Sequence, residues 1–100
     1  MTYADSTERA AFISGLRELA DYLESNPEVP APIYSRVYTF PPNSGWAEMC
    51  AEIDAAAALL GVMPRLTDGG HYVAARSFGP VEYEAVAIPC KNLSGNKESE

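Results

Sequence analysis

The sequence predicts an α+β domain: an N-terminal helix, then strand, helix, an optional short strand and two more strands. These would form a three- or four-stranded, mostly antiparallel sheet with two helices packed on one face. Three observations lead there. Two stretches carry apolar residues at helical spacing, and residues 70–89 hold two alternating runs on either side of an obvious turn. The length of 100 residues allows one modest core but no two-lobed cleft. With 47% hydrophobic and 21% charged residues the chain has the composition of a folded domain. That domain is expected over residues 1–90, with KNLSGNKESE (91–100) as a flexible polar tail.

Asp5 followed by Glu8 makes a capping box and starts the first helix. Phe12, Leu16, Leu19 and Leu23 recur at steps of four, three and four, widened by Ile13 and Ala20, while Arg17, Glu18, Asp21 and Glu24 lie off the stripe. The helix is expected to fade at Ser25 and Asn26, because Pro27 disfavours helical backbone in the residue before it. PEVPAP (27–32) then reads as a stiff extended connector, its PxxP match being frequent by chance.

IYSRVYTF (33–40) is rich in β-branched and aromatic residues and stops at Pro41, so it reads as a strand. Ser44 stands where an N-cap would. Beyond it Trp46, Met49, Cys50, Ile53, Ala57 and Leu60 keep helical spacing up to Gly61. The alanines at 55–58 would let this second helix approach a sheet closely. Residues 63–67 are the optional strand, with a turn at Asp68 and Gly69.

In the hairpin, a two-residue turn at Gly79 and Pro80 pairs Phe78 with Val81, Arg76 with Tyr83, Ala74 with Ala85 and Tyr72 with Ala87. The opposite side then carries Ser77 with Glu82, Ala75 with Glu84, Val73 with Val86 and His71 with Ile88. Combined with the first strand, one face is expected to gather Ile33, Val37, Val73, Val86 and Ile88 beneath the helices. The other would gather Tyr34, Arg36, Tyr38, Phe40, Tyr72, Arg76, Phe78 and Tyr83. Such a face is a partner-binding surface, because Tyr, Phe and Arg are enriched in protein interfaces. Two other readings stand beside it: the inner face itself, and a stacking platform for single-stranded nucleic acid.

Charge weighs against the last. Fourteen acidic and seven basic residues give a net charge of −7, and the basic residues are scattered, so direct nucleic-acid binding is not expected. An acidic nucleic-acid mimic that inhibits a DNA-binding protein is a further alternative. The N-terminus carries acids rather than a basic start and an apolar core, and no run of about 18 apolar residues is present, so a cytoplasmic protein without membrane contact is expected. Cys50 and Cys90 lack metal or redox spacing and read as thiols. His71 is the sole histidine. With Glu82 and Glu84 it could face a metal across the hairpin, but these residue types are more often simply exposed there. No catalytic residue and no cofactor are expected.

With the optional strand counted, residues 33–89 have the order βαβββ. This resembles one module of the vicinal oxygen chelate superfamily, whose sites combine paired modules and metal ligands from several strands. The resemblance implies a small-molecule or metal-binding module, although the family's His and Glu ligands on successive strands are not matched here. FISGLRELADYLESNPEVP and SFGPVEYEAVAIP resemble segments of small proteins from high-GC actinobacteria and their phages, which implies a setting but no activity. The function expected is non-enzymatic: a protein-interaction or regulatory module that binds itself, as a homodimer, or a host protein.

Overall fold

The computed structural model describes residues 3–89. The element order is α1 (Ser6–Ser25), β1 (Ser35–Thr39), α2 (Trp46–Leu60), β2 (Arg65–Leu66), β3 (Tyr72–Phe78) and β4 (Val81–Ala87). Cys90 and the polar tail at 91–100 lie outside the described residues.

α1 starts on the expected capping box: the Glu8 amide donates to Asp5 Oδ1 at 2.7 Å and the Asp5 amide to Glu8 Oε1 at 2.9 Å. α2 is capped by Gly45 without a side-chain hydrogen bond, one residue later than expected, because the Ser44 hydroxyl turns back to the Pro42 carbonyl at 3.3 Å. It ends at Gly61, whose φ of 72° is the left-handed conformation that glycine adopts without penalty.

The four strands form one mixed sheet in the order β1-β4-β3-β2. β3 and β4 pair antiparallel, Phe78 with Val81 through Tyr72 with Ala87, in the register read from the turn. Gly79 has φ 63°, and Pro80 holds its own φ negative. Those signs are the ones of a type II′ turn, whose twist matches that of the strands. The optional strand is present but short: Arg65 and Leu66 pair antiparallel with Val73 and Tyr72. β1 lies parallel to β4, with Arg36 opposite Glu82, Val37 opposite Tyr83 and Tyr38 opposite Glu84.

α2 crosses one face of β3 and β4. Its buried stripe of Met49, Ile53 and Ala57 meets Ala74, Ala85 and Ala87, with Tyr72, Tyr83, Ala56, Leu60 and Val62 around the edge. The small residues of the sheet let the helix come close, and Ile53 fills the gap so fully that it has no exposed surface. α1 packs on none of the other elements. None of its residues is buried, and Phe12, Leu16 and Leu19 stay about half exposed. Among the described residues the helix against the sheet is therefore α2 alone, and none lies on the opposite face.

Candidate binding site

The parallel register of β1 decides which side chains share a face. Val37, opposite Tyr83, points with Tyr72, Ala74 and Ala85 toward α2, while Arg36 and Tyr38 point with Glu82, Glu84 and Val86 to the uncovered side. The single aromatic face expected from the sequence is thereby divided. Tyr34, Arg36, Tyr38 and Phe40 belong to the uncovered side. Tyr72, Arg76, Phe78 and Tyr83 belong to the other, because a strand that joins by one residue more or less turns over all its side chains.

On the α2 side Tyr72 and Tyr83 are structural, while Arg76 and Phe78 stay exposed. Tyr72 and Tyr83 pack against the core, and the Tyr72 hydroxyl donates to Asp54 Oδ1 at 2.6 Å. Arg76 donates from a terminal guanidinium nitrogen to the Leu60 carbonyl at 3.3 Å, and its guanidinium lies 5.4 Å from the Phe78 ring centre. Aliphatic Val73 and Val86, expected beneath helices, instead floor the uncovered face. They are buried all the same, at 1% and 3% exposure, by the side chains standing around them.

Arg36 is the hub of the uncovered face. Its Nε donates to Glu82 Oε1 at 2.8 Å and to the Tyr34 hydroxyl at 2.9 Å, while Tyr34 donates to the same Glu82 oxygen at 2.6 Å. A terminal nitrogen of Arg36 reaches the Tyr38 hydroxyl at 3.4 Å. The guanidinium also lies 5.5 Å from the Tyr34 ring centre, within cation–π range. Tyr38 in turn stacks on Phe40 with ring centres 6.2 Å apart. The hydrogen bond from Tyr34, then the guanidinium, holds the Glu82 carboxyl below its ordinary 4.5.

Beside this network lies a concavity of about 340 Å³, walled by Tyr38 and Phe40 on one side and by Thr67 and His71 on the other, with Ile88 at its end. Its volume is at the low end of the range of ligand pockets, about 300–1,000 Å³. A second depression of about 320 Å³ borders it, sharing Phe40, Val86 and Ile88 and continuing past Pro41 toward Met49. Glu84 lines the first. It is 8% exposed, the one charged residue buried among the described residues. The backbone of the β2–β3 turn places His71: its amide donates to Thr67 Oγ1 at 3.1 Å, and Gly70 takes φ 85° in the bend.

Of the weak metal candidates, His71 and Glu84 thus share one concavity, whereas Glu82 is engaged by Tyr34 and Arg36. Among the described residues no group of three or more His, Cys, Asp or Glu is placed to hold a metal ion. Cys50 is a half-buried free thiol whose pKa burial pushes up, away from reactivity. Glu84 was legible in the sequence only as a strand carboxylate; its burial follows from Arg36 and Tyr38 standing beside it. Among the described residues no helix is long and apolar enough to cross a membrane.

The tyrosines give a pH prediction. Burial, then Glu52, pushes the Tyr3 phenol up to about 12, and the hydrogen bonds to Asp54 and Glu82 push Tyr72 and Tyr34 upward as well. A raised phenol pKa favours the neutral group in the folded state. Its contribution is complete below the unfolded value of 10 and is lost as pH rises through the folded value. Stability should therefore fall between about pH 10 and 12. Denaturation midpoints over that range, with phenolate absorbance in parallel, check this; tyrosines that all ionise near 10 without loss of stability would contradict it.

The chain matches no protein-family model, no curated protein and no solved structure.

Proposed function

We propose that the chain is a non-enzymatic protein-binding module whose uncovered sheet face is its contact surface, with a second copy of the chain or a host protein as the occupant. The observation that carries the reading is a sheet face on which none of the described helices lies, where exposed aromatics surround an arginine already fixed by Glu82 and Tyr34. Tyr34 and Tyr38 are about half exposed, and Ile88 extends the apolar rim. Apolar surface of this kind marks interaction sites. A side chain immobilised before binding loses less entropy on binding, which makes Arg36 and its neighbours suitable anchors.

The concavity beside Glu84 favours a second reading, a small-molecule module. The βαβββ order and the mixed β1-β4-β3-β2 sheet with one helix on one face also fit that reading. The phage or actinobacterial setting remains a proposal of the sequence resemblance.

Two double substitutions separate the surface from the core. Tyr38→Ser with Phe40→Ser is expected to weaken association, read by sedimentation over a range of concentrations and by crosslinking in extract of the native host, while the thermal midpoint changes little. Tyr72→Ser with Tyr83→Ser is expected to do the reverse, lowering the midpoint through lost packing under α2. A chain that is monomeric at every concentration, and whose crosslinks in extract are the same with and without Tyr38→Ser and Phe40→Ser, contradicts the proposal.

A further inference from the structure

We infer that the anchor this face takes from its partner is a lysine or arginine side chain seated on Glu84. The inference rests on the reading of the uncovered face as a protein-binding surface and gives that partner its chemistry. Glu84 sits in the middle of the sheet, flanked by Tyr38 on β1 and Ala75 on β3. The one polar contact the structure gives its carboxylate among the described residues is Arg36 Nε at 3.5 Å. A charge-assisted hydrogen bond between such groups is about 2.7–2.9 Å long. Arg36 Nε cannot shorten the contact, because it is committed to Glu82 and Tyr34.

A carboxylate at this depth without a close donor is costly, and native structures supply one. Glu82, two residues away, has both: Tyr34 and Arg36 donate to it, and the charge of Arg65 on β2 acts on it as well. The short hydrogen bonds of the face thus go to Glu82, leaving Glu84, with only the longer contact to Arg36, as the more open acceptor in the concavity. A cationic N–H group answers it best, being the stronger donor to a carboxylate. The floor of Val73 and Val86 and the ring of Phe40 suit the methylene stem that lysine and arginine bury below a charged head. A net charge of −7 steers a basic partner toward the chain and opposes the approach of a second copy. The occupant is therefore a basic segment of another protein.

The test is a nitrogen–proton NMR titration of the full chain with blocked leucine-flanked pentapeptides whose central residue is lysine, arginine, acetylated lysine or glutamate, and with butylamine alone. The lysine and arginine peptides should move the amide signals of residues 36–40 and 84–88 and bind at least about tenfold tighter than the acetyl-lysine peptide, the equivalent of about 1.4 kcal/mol. That preference should vanish in Glu84→Gln at a thermal midpoint no lower than that of the unsubstituted chain, and in Glu84→Met, which removes the charge without leaving an unpaired polar group should the glutamine variant fold poorly. If charged and acetylated peptides bind equally well at the same signals, the Glu84 anchor is overturned and the binding face stands. If no peptide moves signals on this face, both fall. Butylamine binding as tightly as the peptides would overturn the protein segment as occupant in favour of a small amine.

Discussion

Ile53→Ala is expected to lower the unfolding free energy by about 2–5 kcal/mol. Ile53 is wholly without exposed surface and meets a sheet surface of Ala74, Ala85 and Ala87. Alanines have no side-chain length with which to lean into the space left behind, and the strands that carry them are held by the hydrogen bonds of neighbours on both sides. The cavity should therefore persist, which places the cost toward the upper part of that range. A domain of this size has only about 5–15 kcal/mol of stability. Chemical denaturation should show a midpoint shifted down with an unchanged slope. A loss well below about 1 kcal/mol would mean that α2 settles onto the sheet, and that the close contact is not what orders it.

Ala85→Leu is expected to destabilise by about 1–3 kcal/mol for the opposite reason. Ala85 has no exposed surface, pairs with Ala74 and lies beneath α2, so a larger side chain must push the helix outward or adopt a strained rotamer. The two changes concern the same space. Ile53→Ala combined with Ala85→Leu should therefore cost less than the sum of the single variants, by on the order of 1 kcal/mol, the scale of coupling between residues in contact. Strict additivity in that double-mutant cycle would contradict the packing described.

Residues whose partners are fixed locally were legible in the sequence. The capping box of Asp5 and Glu8 joins neighbours one turn apart. The hairpin register follows from Gly79, because a two-residue turn leaves one way for the strands to lie opposite each other. The face of β1 was not legible, although its position as a strand was. No turn connects β1 to β4. Their register is set by α2 and the chain between them, and alternating apolar and polar residues in 33–40 fit either side of the sheet. Val37 took the side of the helix and Tyr38 the open side, so the expected aromatic surface was split: Tyr72 and Tyr83 pack against the core, while Arg76 and Phe78 stay exposed on the helix side. For α1 the spacing of Phe12, Leu16, Leu19 and Leu23 reveals an apolar stripe, but periodicity carries no information about what lies opposite it. Among the described residues no other helix or strand does.

The parallel pairing of β1 with β4 also orders events in time. The β3–β4 hairpin closes over a two-residue turn, and α2 needs only the short connection through β2 to reach it. β1 must bring together residues from opposite ends of the βαβββ unit, and closure of so long a loop is slow. β1 should dock after the helix and hairpin have formed, so substitutions at Val37 should mainly speed unfolding while those at Ile53 also slow folding. Arg36, Tyr38 and Phe40 all arrive with that strand. A chain caught before this last step would hold most of its hydrophobic core and yet present no assembled recognition surface.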